Sequence, residues 1–337
     1  MRDIFPRLIG NEKTKQRLFP LIKSERLPHA FLIDGPEGSG RYTLALELAS
    51  AINCRNKDKD NLPLPCGICD ICKKIKDESS VDVKVLAKDK DKSSIGVNEV
   101  KEFRQDMYLS TTEAEYAVYI IKDAEKLTAE AQNALLIVLE EPPKNVKIIL
   151  IANGTDRILT TIRSRTQYIT TSRFTTEELT KAVARPLDIS EERFLALARC
   201  ADGRIGRLQE LSSRERAEET EEKRRTAMGV VDALGTRAKY SSLLVALTSL
   251  PDKRAELTEA LEDCINAVRD MIAAKNTEDF TPLFFLTKEE AKTKAKDVNL
   301  RRLIGIYEII SSGADACSKN ANVGIILTDM AAKIKKT

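Results

Sequence analysis

Short apolar runs alternate with segments of helical periodicity along the first half of the chain. Four runs predict buried strands: Ala30–Asp34, Tyr116–Ala124, Val146–Asn153 and Thr166–Thr171. Apolar residues recur at helical spacing after the first two of them, in Tyr42–Ile52 and Thr128–Glu141. Because strands that alternate with helices form βαβ units, the pattern predicts a parallel sheet flanked by helices.

Beyond about residue 172 the pattern is helical throughout. Thr175 and Glu178 have the spacing of a capping box, which predicts that a helix begins there, and Pro186 predicts that it ends near the preceding residue. The charged stretch Ser213–Arg225 predicts a solvated helix joining two helical units. Two further segments predict an all-helical C-terminal domain: Tyr240–Ala274 and Val298–Ile334.

Charge and hydropathy narrow the class of protein. The chain has 55 basic and 52 acidic residues among 337, so its net charge of +3 makes no case for nucleic-acid binding. No apolar run reaches the roughly 18 residues of a membrane span, and the first residues lack the apolar core of a signal peptide. We therefore expect a cytoplasmic protein without a membrane partner. His29, the one histidine, is expected to cap or pack.

Four cysteines in one short segment have the spacing of a metal site: Cys54, Cys66, Cys69 and Cys72. Two successive C-x-x-C steps place thiolates around one tetrahedral ion, and four thiolates leave no open position, so the pattern predicts structural zinc. An iron–sulfur cluster and metal-free thiols are the alternatives. The other cysteines are predicted to be small core residues: Cys200, Cys264 and Cys317.

The segment after the first strand has the glycines of a phosphate-binding P-loop: Gly35, Gly38 and Gly40. Arg41 and Tyr42 stand where that loop requires lysine and serine or threonine, and Thr43 comes one residue late. A planar guanidinium differs from a lysine point charge, and the tyrosine hydroxyl lies too far along a rigid ring. The segment therefore predicts a vestigial nucleotide site, with ATP binding doubtful. The alternative is that it was never a nucleotide site.

The end of the second predicted strand supports this interpretation. Asp123 stands where a P-loop ATPase places its magnesium-binding aspartate, but Ala124 follows instead of the glutamate that polarises water. Glu125 comes one position later and is predicted to point elsewhere.

Taken together, several segments resemble one family. They are "HAFLIDGPEGSGR", the inserted cysteine module, "LTAEAQNALLIVLEEPP" and "TIRSRTQYI". Over residues 6–210 the chain resembles the bacterial DNA polymerase III clamp-loader subunits of the AAA+ superfamily, above all their delta-prime branch. The resemblance implies three domains: an AAA+ α/β domain at 1–171 with a zinc module at about 54–72, a small helical lid at 172–228 and a helical collar at 229–337.

The same resemblance implies a stator that does not hydrolyse ATP. Ser164 and Arg165 match the family's Ser-Arg-Cys motif, although Thr166 replaces the cysteine, and Arg165 would be an arginine finger for a neighbouring subunit's ATP. Arg163 is its competitor. Asn153 matches a polar residue near the γ-phosphate, or is a turn residue at a strand end. The resemblance also implies that an active subunit carries a second phosphate-sensing arginine in the lid. Gly206 stands at that position here, with Arg207 one step away, which is a further mark against hydrolysis.

The implied partners are gamma/tau and delta subunits in a five-subunit ring, with the sliding clamp and primer–template DNA reached through the complex. DNA polymerase activity would belong to the holoenzyme. Two alternatives are a gamma/tau-like ATPase that uses Arg41 in place of lysine, and a zinc-stabilised nucleic-acid-binding module on an AAA+ scaffold.

Overall fold

The computed structural model describes residues 2–23, 27–89, 92–109, 111–187, 189–213, 217–235, 239–318 and 321–337. They form two compact units, which divide between Glu178 and Leu179. Within these ranges no helix has the length and apolar character needed to cross a bilayer.

The first unit is built on a parallel sheet of five strands in the order β2-β3-β4-β1-β5. The strands are β1 (Ala30–Asp34), β2 (Val83–Leu86), β3 (Ala117–Ile121), β4 (Val146–Ala152) and β5 (Gln167–Thr170). The predicted parallel sheet is confirmed, but sequence reasoning missed β2. This strand lies at the edge and keeps its side chains partly exposed, so its "VKVL" lacks a long apolar run.

Helices cover both faces of this sheet. They are α1 (Glu12–Lys23), α2 (Arg41–Ile52), α3 (Asp70–Lys76), α4 (Val97–Asp106), α5 (Ala129–Glu140) and α6 (Thr160–Arg163), with a 3₁₀ turn at Ala124–Lys126. Alternate strand residues point to opposite faces. Phe31 and Ile33 of β1 join α1, α2 and the cysteine module on one face, whereas Leu32 joins α4 and α5 on the other.

The carboxyl ends of β1, β3 and β4 meet at one edge of the sheet, because all three strands run parallel. Asp34 at the end of β1 pairs in register with Ala152 at the end of β4. The glycine loop, Asp123 and Asn153 all follow these strand ends, so the fold gathers them where open α/β sheets bind ligands.

The second unit is helical. Its helices are α7 (Thr176–Ala182, which begins in the first unit), α8 (Glu191–Cys200), α9 (Ile205–Ser212), α10 (Ala217–Asp232), α11 (Tyr240–Thr248), α12 (Arg254–Asn276), α13 (Lys288–Ala295), α14 (Leu300–Ser318) and α15 (Val323–Lys336). The capping box that precedes α7 is confirmed, since Thr175 N–H donates to Glu178 and Glu178 N–H donates to the Thr175 hydroxyl. The helix ends at Ala182, three residues before the predicted end.

Two further helices bear on the predictions. Within the charged stretch, residues 214–216 lie outside the described part of the chain. The helix α10 begins at Ala217 and ends at Asp232, so it spans the boundary that the resemblance implies between the lid at 172–228 and the collar at 229–337. Sequence reasoning missed α13, because the residues it buries are only two alanines, Ala291 and Ala295. The three cysteines expected in the core of this unit are buried.

Candidate functional site

The glycine loop is closely packed by its neighbours. Gly38 and Gly40 have left-handed φ values of 76° and 82°, which glycine adopts without strain. A Cβ at Gly40 would lie 2.9 Å from Cδ1 of Leu8. The buried Ser39 hydroxyl shares a 2.7 Å hydrogen bond with that of Thr171, which directly follows β5. The loop is thus held in one conformation by the N-terminal segment and the end of β5.

Arg41 and Tyr42, the two departures from the P-loop pattern, open α2. The Tyr42 hydroxyl donates to Glu78 at 2.7 Å, and Nζ of Lys122 lies 3.6 Å from the centre of its ring. Burial and the bond to Glu78 raise the pKa of Tyr42. Among the described residues, Nη1 of Arg41 is buried and has no hydrogen-bond partner. Thr43 lies half-buried in the first turn of the helix.

The acidic edge of the sheet differs from the prediction for Glu125. Asp123 adopts a left-handed φ of 53° and forms an ion pair with Lys126 at 3.3 Å, and the 3₁₀ turn that follows reverses the chain. As a result Glu125 accepts a hydrogen bond from the backbone N–H of Asn153 at 3.2 Å. The side chain expected to point elsewhere therefore stays at this edge.

Asp34 is a residue of this edge that sequence reasoning missed. It accepts hydrogen bonds from the Gly154 N–H at 2.9 Å and the Tyr168 hydroxyl at 2.6 Å, and so ties the end of β1 to the loop after β4 and to a side chain of β5. The bond to Asp34, with burial, raises the pKa of Tyr168 to about 12. Its position as the last residue of an apolar strand, "AFLID", was the available signal.

Arg165 and Ser164 follow the short helix α6. The Arg165 guanidinium donates to the carbonyl oxygen of Thr161 at 3.0 Å and pairs with Glu140 at 2.9 Å, with 36% of the side chain exposed. Ser164 donates to the same carbonyl at 3.0 Å. Arg163 is exposed. Both arginines therefore lie at the surface of the first unit, and Glu140 and Thr161 orient Arg165.

Gln132 of α5, which sequence reasoning also missed, fixes the loop before α6. Its buried amide donates to the carbonyl oxygens of Leu127 at 3.2 Å and Arg157 at 2.9 Å, and accepts from the Leu159 N–H at 2.8 Å. This single side chain joins the start of α5 to the loop that leads into α6 and thence to Arg165.

In the second unit, the segment around Gly206 forms ion pairs with α12. Arg204 pairs with Glu262 at 3.1 Å, and Arg207 pairs with Asp263. Gly206 between them is exposed, and a Cβ added there would enter open space among the described residues.

The four cysteines come together as predicted. Their Sγ atoms all lie within 4.8 Å of one another, and three of the four side chains are buried. Cys66 and Cys72 are 3.9 Å apart at sulfur, close to the roughly 3.8 Å separation that tetrahedral zinc with bonds of about 2.3 Å requires. The donor set therefore fits a closed zinc site.

Polar donors around the cluster favour a thiolate at Cys54, whereas the hydrogen bond to Cys54, together with burial, raises the pKa of Cys72. A hydrogen bond from the Cys72 thiol, together with the Cys66 N–H, lowers the pKa of Cys54 well below its usual range. The Asn56 amide donates to Sγ of Cys66 at 3.3 Å. Such outer hydrogen bonds orient metal ligands and stabilise their charge.

Comparison with known proteins places this geometry in context. Residues 10–175 match the family described as DNA polymerase III, delta subunit. Parts of the chain are also similar to DNA polymerase III subunits. The chain is 32% identical over 204 residues to the tau subunit of Bacillus subtilis, covering 59% of this chain and 35% of that one. It is 31% identical over 206 residues to the gamma subunit of Buchnera aphidicola, covering 60% and 55% respectively.

Gamma/tau subunits from mycobacteria are also similar, at 31% identity over 164 residues, 49% of this chain and 28% of theirs. The chain thus spans between about a quarter and just over half of these DNA polymerase III relatives. A solved gamma subunit-related protein from Thermotoga maritima has a TM-score of 0.50 at 17% identity, covering 95% of this chain and 98% of that one. This last likeness concerns the fold.

Proposed function

We propose that this chain is a delta-prime-like stator of a bacterial clamp loader, which does not hydrolyse ATP and supplies an arginine to a neighbouring subunit. The similarity to DNA polymerase III subunits supports the class of complex. The hydrogen bond between Tyr42 and Glu78 carries the non-hydrolysing assignment. Tyr42 stands at the position where a P-loop has the serine or threonine whose hydroxyl binds magnesium, and its own hydroxyl is bonded to Glu78 instead.

The glycine loop keeps its structural role under this proposal. Its glycines allow Thr171 to pack closely against Gly35 and Leu8 against Gly40, so the fold needs them whether or not phosphate binds. A working site also needs a lysine on the β- and γ-phosphates and a glutamate that polarises water. Here Arg41 replaces the lysine, and Glu125 accepts a bond from the backbone at Asn153.

The arginine finger is assigned to Arg165. A guanidinium placed beside a γ-phosphate stabilises the charge that develops during transfer. Arg165 is partly exposed and held at two points, so it is oriented before a partner arrives, whereas Arg163 is exposed. Glu140 would give way to the more highly charged phosphate when the neighbouring subunit docks.

The cysteine site is assigned to structural zinc, held by Cys54, Cys66, Cys69 and Cys72. The ion would cross-link the segment between α2 and α3 and has no open position for chemistry. The proposal extends to a helical lid and collar in the second unit, a five-subunit ring with gamma/tau and delta, action on the sliding clamp at primer–template DNA, and a cytoplasmic location.

Two measurements test the stator. The first is calorimetric titration of the zinc-loaded chain with Mg·ATP, run together with an ATPase assay on the same sample. The ATPase assay should show no turnover. In a reconstituted loader, Arg165→Ala should lower the DNA-stimulated ATPase of the motor subunits at least tenfold, since fingers in GTPases contribute about 10³–10⁵ in rate. Arg163→Ala and the exposed Arg157→Ala are the matched controls. A loss confined to Arg163→Ala would assign the finger to Arg163. Wild-type ATPase activity in all three variants would refute the arginine-finger proposal.

A second function, a gamma/tau-like ATPase, is favoured by one observation. Within the described residues the buried Nη1 of Arg41 lacks a hydrogen-bond partner, and a nucleotide phosphate would supply one. This function requires steady ATP turnover by the isolated chain, abolished by Arg41→Ala and by Glu125→Gln. Turnover with that sensitivity would replace the stator proposal.

A further inference from the structure

The N-terminal strap, defined as residues Arg2–Leu8, lies along the loop that separates Cys54 from the other three cysteines. The Arg2 guanidinium donates to four carbonyl oxygens of that loop, and only 6% of the side chain is exposed. The acceptors are Leu62 and Lys57, both at 2.8 Å, and Asn56 and Pro63, both at 3.4 Å. A planar fork with five donors suits such a convergent set of oxygens, and a lysine does not.

The strap's backbone also pairs with this loop. The Leu64 N–H donates to the carbonyl oxygen of Asp3 at 2.9 Å, and the Phe5 N–H donates to that of Leu64 at 2.7 Å. Leu64 precedes Cys66 by two residues, and the side chains of Phe5 and Leu64 are both fully buried. The position of the second cysteine is therefore tied directly to the strap.

The other end of the strap reaches the glycine loop. The Arg7 N–H donates to the buried carboxylate of Glu47 on α2 at 3.3 Å. Leu8 is 1% exposed and packs against Gly40, the last glycine before α2. A continuous set of contacts thus runs from the cysteine site through the strap to the start of α2.

We propose that Arg2 is a positioning residue of the metal site, and that metal binding in turn fixes the strap against the glycine loop. Arg2 gathers the loop between Cys54 and Cys66 into the shape that brings the first ligand to the other three. Because linkage is reciprocal, a strap that favours metal binding is itself stabilised when the metal binds. The inference rests on the proposed zinc site and goes beyond it, since it couples that site to a segment without ligands.

The test measures zinc affinity and local amide exchange on the full chain. Zinc affinity is determined by competition with a chromophoric chelator for the wild type, Arg2→Ala and the matched control Arg55→Ala. Arg55 belongs to the same module but is 58% exposed and pairs only loosely with Asp70, at 3.7 Å. Arg2→Ala should weaken zinc binding at least tenfold, within the 10–100-fold range of outer-shell changes, while Arg55→Ala stays within about twofold.

Zinc removal from the wild type provides the second readout. Exchange at the Phe5 and Leu8 amides should accelerate at least tenfold, while the amides of β4 and α12 remain as they were. Equal affinities for Arg2→Ala and Arg55→Ala would overturn the positioning role. Unchanged strap exchange, or equal acceleration throughout the first unit, would overturn the coupling.

Two further outcomes are distinguishable. If the wild type binds no zinc, the metal site and the inference both fail, whereas the stator proposal still stands on Arg165. If Arg2→Ala does not fold, Arg2→Lys replaces it, because this variant keeps the charge and loses the fork. Arg2→Lys should then weaken zinc binding at least tenfold, and wild-type affinity in that variant would overturn the positioning role.

Discussion

Replacing Gln132 with alanine tests how the region of Arg165 is held. The change removes two hydrogen bonds donated by the side chain and one that it accepts, and so leaves the backbone groups of Leu127, Arg157 and Leu159 without these partners. An unsatisfied buried polar group costs about 1–3 kcal/mol. Because Arg157 is exposed and Leu159 is half-buried, water can reach both of these groups, and we expect a loss of about 1–3 kcal/mol in the free energy of unfolding of the first unit. That is a large share of the roughly 5–15 kcal/mol of a typical domain.

Hydrogen exchange is the suitable assay, because a chain with two compact units need not unfold in one step. The slowest amides of β1 and β4 report the free energy of opening of the first unit. Asn133→Ala, at an exposed position one residue along the same helix, is the matched control. The amides of Ser164 and Arg165 should lose more protection than those of β1, since the loop into α6 loses its anchor.

Two results would refute this reasoning. If Gln132→Ala and Asn133→Ala differ by less than about 0.5 kcal/mol, the three hydrogen bonds contribute nothing net. If Gln132→Ala lowers the protection of β1 and α6 equally, Gln132 stabilises the unit as a whole and has no particular role in holding Arg165.

The remaining predictions concern buried carboxylates. Burial raises the pKa of Asp82, but three backbone N–H groups at 2.8 Å lower it more, so its net pKa falls below the ordinary value. Its contribution to stability is thus present above about pH 4 and lost as pH falls through the folded-state pKa. Hydrogen exchange of the first-unit amides at several pH values should show that Asp82→Asn flattens this acid dependence and that the exposed Asp156→Asn does not. Asp270, 1% exposed, accepts N–H bonds from residues 283–285. Asp270→Asn should lower the free energy of opening of α12, measured from the protection of its amides, by about 1–3 kcal/mol. The exposed Asp279→Asn should lower it by less than about 0.5 kcal/mol. Equal losses in the two variants would contradict this prediction.

Features encoded by residues close in sequence were predictable. The cysteine spacing was enough to predict that Cys54 would lie beside the other three, and the glycine loop follows its strand as expected. The capping box before α7 was read from two residues. In each case the residue types at a few neighbouring positions carry the signal, so one sequence suffices for the prediction.

Features set by tertiary contacts were not predictable. The turn after Asp123 returns Glu125 to the end of β4, which depends on a left-handed backbone at a residue other than glycine. In the sequence Gln132 is indistinguishable from an ordinary polar residue of a helix, because its partner, the carbonyl oxygen of Arg157, lies in a distant loop. Arg2 lies more than 50 positions from the carbonyl oxygens that it binds. Spacing along the chain carries no signal for such pairs.

The edge position of β2 has a consequence for aggregation. Its short, partly exposed "VKVL" carries Lys84, which pairs with Asp106 at 2.7 Å, and charged residues on an edge strand discourage pairing with another chain. The next strand, β3, is "AVYII" and is buried along its whole length. Deleting residues 83–86 would expose this apolar strand as a new edge and create a template for intermolecular sheets. A short, partly exposed edge strand thus protects one of the most hydrophobic strands of the sheet, and shortened versions of the protein should retain it.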